Sequence, residues 1–234
     1  MLINSSYKSM TQKIRVNTML ERMDTFFENR LSDYDEHMMT AIKGADEFYK
    51  YTAALLPREV ETEVLDLGCG TRLELEEYFA LNPKARVTGI DLSKAMIKTL
   101  AAKFPDKNLT LICDSYFDVE LGLERYDAAV SVESLHHFTC ECKESFYQKL
   151  MRSLKSNGYF VLTDYFAESE ELEKEYFETF DKLKQEQGIF DHEFYHYDTP
   201  LTVEHEVAIL KKAGFLDVRV LKNWEATYTL IAKC

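Results

Sequence analysis

Short apolar segments alternate with segments of helical periodicity along residues 63–166, and this alternation constrains the fold more than any other feature. The apolar segments have the length of buried strands: 63–67, 85–90, 109–113, 126–132 and 159–166. Two more strands, 217–224 and 225–234, are predicted to close the chain as a hairpin. Strands that alternate with helices form a parallel sheet covered on both faces. We therefore predict an α/β fold with a seven-stranded, mainly parallel sheet.

Helical segments are predicted to cover this sheet and the ends of its strands. They are residues 73–81, 93–104 with Ser93 as the N-cap, 142–155 before an Asn157-Gly158 turn, and 201–215. Residues 1–57, helical from residue 18, are predicted to form an N-terminal lid within the same domain. Residues 58–234 form the predicted core, with an acidic helix and a histidine-rich stretch inserted at residues 167–200 as a helical cap.

The chain carries a formal net charge of -13, which disfavours nucleic acid as a partner because nucleic-acid backbones are anionic. No apolar run of about 18 residues is present, so no membrane span is expected. The five cysteines lack the spacing of a disulfide framework, and Cys140 and Cys142 alone are too few for a metal site. We therefore expect a cytoplasmic protein without a metal.

Two glycines follow the first predicted strand in the sequence VLDLGCGT, residues 64–71. Gly68 and Gly70 would let the backbone approach a ligand and adopt dihedral angles that side chains forbid. A dinucleotide-binding pattern would place a third glycine at position 73, which is Leu73, and no Gly-Lys-Ser/Thr of a P-loop follows. The turn therefore predicts a nucleotide-like ligand other than a dinucleotide or a nucleoside triphosphate.

Acidic residues end the next two predicted strands. Asp91 follows the second strand, and its carboxylate can accept hydrogen bonds from both hydroxyls of a ribose. Asp114 follows the third strand and could accept from the amino group of an adenine. Each acid alone could instead cap a helix, but a Gly-x-Gly turn and two acids in this order predict an adenosine-type ligand.

These motifs resemble those of the class I S-adenosylmethionine-dependent methyltransferases over about residues 60–165. VLDLGCGT is similar to the first motif of that family, VTGIDLS to the second, CDSY to the third and YDAAVSVESLHHF to the fourth. LKSNGYFVLTD resembles the turn and fifth strand that follow. The resemblance implies a Rossmann-like fold, S-adenosylmethionine as the cofactor and methyl transfer to a small-molecule acceptor.

The same resemblance implies which residues contact the cofactor. Asp91 is expected at the ribose, Leu92 and Asp114 near the adenine, and Tyr34 in a lid that closes over the cofactor. The complete expected set is Tyr34, Asp66, Gly68, Cys69, Gly70, Arg72, Asp91, Leu92, Met96, Asp114, Ser115 and Ser131.

Arg72 departs from the family pattern, which usually has a third glycine at this position. Three interpretations stay open. The side chain could point to solvent from the first helical turn, or its guanidinium could pair with the methionine carboxylate of the cofactor. In the third interpretation cofactor binding is impaired, and the fold serves as a non-catalytic or regulatory module.

Candidates for acceptor chemistry follow the fourth and fifth strands and lie in the cap. They are His136, His137, Asp164, His192 and His196, with Glu133, Ser134, Tyr165, Tyr195 and Asp198 nearby in sequence. Histidine titrates near neutrality and suits a general base for a hydroxyl or amine acceptor. His136 or His137 could instead pack or cap the next helix, and Asp164 could cap a turn.

Residues 192–196, HEFYH, formally match the H-E-x-x-H motif of metalloproteases. That motif requires a helix that presents His192 and His196 together, and YDTP follows within a few residues and would break it. These two histidines could also line an acceptor pocket, with or without a metal. The sequence therefore predicts a methyltransferase for a small molecule, with a regulatory module or a metalloprotease as alternatives and a homodimer left open.

Overall fold

The computed structural model describes residues 19–71 and 73–234, and these residues contain a seven-stranded sheet. The strands are β1 (Glu63–Leu67), β2 (Arg86–Asp91), β3 (Asn108–Cys113), β4 (Tyr126–Val132), β5 (Leu154–Tyr165), β6 (Asp217–Trp224) and β7 (Thr227–Lys233). Their order is β3-β2-β1-β4-β5-β7-β6. Strands β1 to β5 are parallel, and β7 runs antiparallel to both β5 and β6. The predicted sheet and its closing hairpin are confirmed.

Helices flank this sheet. The described ones are α1 (Met23–Arg30), α2 (Tyr34–Ala41), α3 (Ala45–Leu55), α4 (Leu73–Leu81), α5 (Lys94–Lys103), α6 (Cys140–Ser153), α7 (Glu170–Glu186) and α8 (Val203–Ala213). Three of them have the N-caps that their sequences favour: Ser93, Ser169 and Thr202 each accept a hydrogen bond from a backbone nitrogen of the first turn. Gly214 ends α8 with a φ of 117°, a conformation that glycine adopts without strain.

Two apolar cores lie on opposite faces of the sheet. Successive residues of β1 show the division, because Val64 packs with α3, α4 and α5 while Leu65 packs with α6 and α8. Side chains alternate in direction along a strand, so Val64 lies on one face of the sheet and Leu65 and Leu67 lie on the other. All three are fully buried, because helices cover both faces of the parallel strands.

The helix predicted to run into the Asn157-Gly158 turn ends earlier. α6 stops at Ser153, and Leu154 is already extended and pairs with Tyr126 of β4. The next pair is Ala128 with Tyr159, so residues 155–158 form an irregularity within β5. A side chain at Gly158 would lie 2.9 Å from the carbonyl oxygen of Lys155, which explains why a glycine occupies this bend.

Two segments meet over the carboxyl ends of the strands. The residue before α1, Arg22, forms an antiparallel bridge with Tyr195 of the inserted segment. The backbone nitrogen of Met23 donates to the carbonyl of Phe194 across 2.8 Å, and that of His196 donates to Glu21 across 2.9 Å. The third N-terminal helix, α3, does not belong to this cover. The hydroxyl of its residue Thr52 is hydrogen-bonded to that of Thr163 in β5 across 2.5 Å, and the helix packs on the sheet.

Within residues 19–71 and 73–234, no helix is both long and apolar enough to cross a membrane.

Candidate active site

A cleft of about 570 Å³, measured to its open mouth, lies at the carboxyl ends of β1, β2 and β4. The strand order reverses between β1 and β4, and ligands of open α/β sheets bind at such points. Its lining contains Met23, Phe27, Tyr34, Gly68, Gly70, Asp91, Leu92, Met96, Asp114, Ser115, Tyr116, Phe117, Glu133, Ser134, His137, Phe138 and Phe194.

The glycine turn forms one wall of the cleft. Gly68 and Gly70 have φ angles of 72° and 50°, in the left-handed region that favours glycine. A side chain at Gly68 would lie 2.2 Å from the hydroxyl oxygen of Ser134, so only glycine fits there. A Cβ atom at Gly70 would instead point toward Tyr34, with 3.8 Å to its hydroxyl oxygen. The turn therefore leaves room for a ligand to lie directly against the backbone.

Asp91, the last residue of β2, connects two parts of the cleft wall. Its carboxylate accepts one hydrogen bond from the backbone nitrogen of Gly70 at 2.9 Å and another from Ser93 at 2.8 Å. Burial raises its pKa to about 6, although these two donors act in the opposite direction. A carboxylate has about four lone-pair sites, so Asp91 can still accept from two ribose hydroxyls.

The end of the cleft near β3 fits an adenine ring. Leu92, Met96, Asp114 and Ser115, all expected there, line it. The aromatic rings of Tyr116 and Phe117 line it as well and were not predicted. Both come within three residues after Asp114, so their place after a strand's carboxyl end was the available signal.

Tyr34 begins α2 and faces the cleft from the N-terminal side. Burial and the nearby carboxylates of Glu74 and Asp91 raise the pKa of its hydroxyl, which therefore stays protonated and can donate a hydrogen bond. This position agrees with the predicted lid residue.

Several expected cofactor contacts lie behind the wall instead of on it. Asp66, Cys69 and Ser131 are fully or almost fully buried and do not line the cleft. Ser131 donates to the carbonyl of Leu67 across 3.1 Å, and Cys69 packs against Gly89, so both support the strands. The motifs that contain these three residues do not reveal that their side chains lie behind the wall of the cleft. Arg72 lies outside the described residues.

Asp66 is buried next to Glu74, the second residue of α4. Burial and the neighbouring carboxyl of Glu74 raise the pKa of Asp66 well above its ordinary value. Burial raises the pKa of Glu74 to about 7. Two carboxyls in one apolar site cannot both ionise at neutral pH, so the pair holds a proton beneath the glycine turn.

The opposite end of the cleft is lined by Glu133 and His137, which follow β4. Glu133 has a φ of 49°, and its carboxylate accepts from the hydroxyl of Thr227 at 3.0 Å. Burial raises the pKa of Glu133 to about 8, despite the opposing effect of His136. Burial and the charge on His136 lower the pKa of His137. At neutral pH this end therefore presents a protonated acid and a neutral imidazole.

His136 and Asp164 form a buried pair behind this end, so neither lines the cleft itself. Nδ1 of His136 lies 2.5 Å from a carboxylate oxygen of Asp164. Burial alone would lower the pKa of His136, but the carboxylates of Asp164, Asp198 and Glu133 raise it to about 9. The structure thus pairs two of the predicted residues, His136 from the turn after β4 and Asp164 from β5.

Two residues of the cap, His196 and Asp198, lie next to His137, but neither lines the cleft. The ring of His196 stacks on Phe26 with centroids 3.4 Å apart, and burial lowers its pKa to about 3. Asp198 lies 3.2 Å from Nδ1 of His137, and the imidazoles of His137 and His136 lower its pKa against the effect of burial. His192 is exposed and does not line the cleft.

The metalloprotease alternative is wrong, because residues 192–196 form no helix. Without a helical turn between them, His192 and His196 do not share a face. His192 is exposed, whereas His196 is stacked on an aromatic ring of α1.

A family model described as a methyltransferase domain matches residues 64–158, the part of the chain that contains the glycine turn, Asp91 and His137. The carboxy-S-adenosyl-L-methionine synthase of Campylobacter fetus subsp. fetus is 24% identical over 225 residues, 91% of this chain and 95% of that protein. The malonyl-[acyl-carrier protein] O-methyltransferase of Acetivibrio thermocellus is 26% identical over 139 residues, 59% of this chain and 47% of that protein.

Among solved structures, the complex of DhpI with SAH has a similar fold, with a TM-score of 0.64 and 16% identity over 89% of this chain and 93% of that one. The fold, the matched domain and the relatives agree with the motifs around the cleft. They support an enzyme that uses S-adenosylmethionine over a regulatory module. The chain thus contains a methyltransferase domain at residues 64–158 and is similar to enzymes that use S-adenosylmethionine.

Proposed function

We propose that this enzyme transfers the methyl group of S-adenosylmethionine to a small molecule bound beside Glu133 and His137. The observation that carries the proposal is the continuity of the cleft, which runs from the glycine turn and Asp91 to these two residues. A cofactor placed along the turn has its adenosine near Asp91 and Asp114. Its sulfonium supplies an activated methyl group, and the remaining length of the cleft accommodates the acceptor.

Enclosure of the cleft supports a small acceptor. Met23 and Phe27 of α1 and Tyr34 of α2 line it from the N-terminal side, and Phe194 lines it from the inserted segment. The backbone bonds between residues 21–23 and 194–196 hold these two segments together. We propose that α1 and α2 serve as the lid and residues 167–200 as the cap. A covered cleft excludes water and aligns the acceptor with the methyl group.

The acceptor end of the cleft provides a candidate base, His137. No lysine or arginine is among the described residues that line the cleft. Nδ1 of His137 is buried and has no hydrogen-bond partner among the described residues. It can therefore accept a proton from a hydroxyl or amine of the acceptor. The protonated carboxyl of Glu133 can donate a hydrogen bond that orients the same acceptor.

The experiment is a turnover assay with S-adenosylmethionine and a panel of phenols, alcohols, amines and small carboxylic acids. We expect S-adenosylhomocysteine and a methylated acceptor in equal amounts with at least one class. Replacing His137 by Asn should lower kcat by about 10²–10⁴-fold, the usual contribution of a general base, with little change in S-adenosylmethionine affinity. Cofactor binding without transfer to any acceptor of the panel would contradict the proposal.

A second candidate is the formation of carboxy-S-adenosylmethionine, because a relative of that name matches over nearly its whole length. The site is less suited to it, since the described lining of the cleft contains no lysine or arginine that would pair with a new carboxylate. Mass spectrometry separates the two functions. Methyl transfer converts the cofactor to S-adenosylhomocysteine, whereas the second reaction makes a heavier cofactor that retains its methyl carbon.

We also propose a cytoplasmic location. The cysteines within residues 19–71 and 73–234 are all free, as expected in a reducing compartment. A homodimer, which the sequence leaves open, is the alternative to a monomer in solution. Sedimentation of the purified protein with and without the cofactor tests the oligomeric state directly.

A further inference from the structure

His136, His137 and Asp198 form a cluster at the inner end of the cleft, and we propose that it binds a divalent transition-metal ion. Each residue offers one ligand atom, and the three atoms lie within 4.8 Å of one another. His136 and His137 come from the short helical turn after β4, and Asp198 comes from the cap. Two imidazoles and one carboxylate are a common ligand set for zinc and for iron.

The separations agree with a metal-centred arrangement. A tetrahedral zinc ion with bonds of about 2.0–2.1 Å holds its ligand atoms roughly 3.3 Å apart. The same oxygen of Asp198 lies 3.2 Å from Nδ1 of His137 and 3.6 Å from Nε2 of His136. The two rings are adjacent, with centroids 4.0 Å apart.

An unpartnered atom points to the same site independently. Nδ1 of His137 is buried and makes no well-aligned hydrogen bond within the described part of the chain, although a carboxylate oxygen of Asp198 lies 3.2 Å away, and the residue is only 7% exposed. Leaving a buried polar atom unpaired costs about 1–3 kcal/mol, so such atoms in native proteins require an explanation. Coordination to an ion would satisfy this nitrogen.

His136 is already oriented for the role. Its Nδ1 is engaged by Asp164 at 2.5 Å, so Nε2 is the nitrogen that faces Asp198. Metal-bound histidines usually donate their second ring nitrogen to a carboxylate, which sets the tautomer and the ring orientation. Asp164 therefore acts as a positioning residue for this site.

Three protein ligands leave a coordination position for water or for a heteroatom of the acceptor. His137 also lines the cleft, so such an ion would lie beside the proposed acceptor. When the ion is bound, Nδ1 of His137 is a ligand, and the ion would take the place of this base by lowering the pKa of the acceptor's hydroxyl. This last use rests on the proposed function, whereas binding of the ion does not and can be measured without turnover.

The test uses the untagged, full chain after removal of metals by a chelator. Zn²⁺ uptake is measured by elemental analysis after dialysis, and Co²⁺ uptake by its visible absorption. We expect one ion per chain. Asp198→Asn and His137→Gln should weaken binding at least tenfold, and Asp164→Asn should weaken it by about 10–100-fold. The control is His205→Gln, since His205 pairs with Glu173 away from this cluster; it should bind like wild type.

S-adenosylhomocysteine affinity and thermal unfolding of each variant show whether it is folded. Wild type that retains no ion, or a folded Asp198→Asn variant with wild-type affinity for Zn²⁺ and Co²⁺, would overturn the proposal. If metal-free protein transfers methyl groups at the full rate, the ion has no part in the reaction with the acceptor. Binding of the ion, measured separately, is unaffected by that result.

Discussion

The carboxylate of Asp91 accepts a hydrogen bond from the backbone nitrogen of Gly70 across 2.9 Å. This bond joins the end of β2 to the turn after β1, so the predicted ribose acid also holds the glycine turn in place. Asp91 is partly buried, and its pKa of about 6 places its protonation within the range of ordinary assays.

We predict that S-adenosylhomocysteine affinity decreases as the pH falls below about 6. We expect the ribose hydroxyls to donate to ionised Asp91. A proton on Asp91 would then compete with the ligand, and the affinity would fall by up to about tenfold per pH unit. Calorimetry between pH 5 and 8 measures this dependence. Asp91→Asn should bind more weakly at pH 8, by about 10–100-fold, because a hydrogen bond to a charged acceptor is lost.

The Asp91→Asn variant is also the control for the pH dependence. Glu74, with a pKa of about 7, titrates in the same range but does not line the cleft. Any dependence that remains in the variant therefore comes from Glu74 or other groups. An equally steep dependence in wild type and variant would show that Asp91 is not the titrating residue.

The two glycines of the turn should respond differently to alanine. Gly70→Ala should destabilise the protein by about 1–2 kcal/mol, the cost of a side chain in the left-handed region. Gly68→Ala should cost about 1–3 kcal/mol more, because its methyl group would overlap the side chain of Ser134. Urea denaturation of the ligand-free protein measures both losses, and equal values would contradict the expected overlap with Ser134.

The pair of His136 and Asp164 gives a prediction about catalysis. Asp164→Asn removes the charge that orients His136 and should lower kcat by about 10–100-fold, while affinity for S-adenosylmethionine changes little. Steady-state kinetics with a responsive acceptor separate kcat from KM. Asp217→Asn, at an exposed residue of β6, is the matched control. A change confined to cofactor affinity would assign Asp164 a different role.

A buried ion pair joins α6 to α8. Nζ of Lys143 lies 2.8 Å from a carboxylate oxygen of Glu206, and the hydroxyl of Tyr147 donates to the other oxygen. Lys143→Met or Glu206→Leu alone should lower the free energy of unfolding by about 3–5 kcal/mol, because each leaves an unpaired buried charge. The double variant should lose much less than the sum. Additive losses in urea denaturation would show that the two charges are not coupled.

Local patterns predicted the strands closely. β1, β4 and β6 begin and end at the predicted residues, because continuous apolar segments between turns have few alternatives in a covered parallel sheet. The cleft residues Gly68, Gly70, Asp91 and Asp114 were predictable for a related reason. Residues that follow parallel strands meet at one edge of the sheet.

The direction of each side chain was not predictable in the same way. Asp66 and Ser131 belong to motifs that resemble cofactor-binding ones, yet both point into the packed layers of the fold. Strand residues alternate between two faces, and in this sheet both faces are covered, so hydrophobic alternation carries no information about direction.

The sequence by itself determined which strands and helices follow one another along the chain. It also determined the glycine turn and the acids at the ends of β2 and β3. These features depend on neighbours within a few residues and on the length of apolar segments. Only the tertiary structure decided that His136 pairs with Asp164, that Asp198 reaches His137, and that His192 lies in solvent. These contacts join residues 28 and more positions apart, and their formation depends on how β5 and the cap pack beside β4.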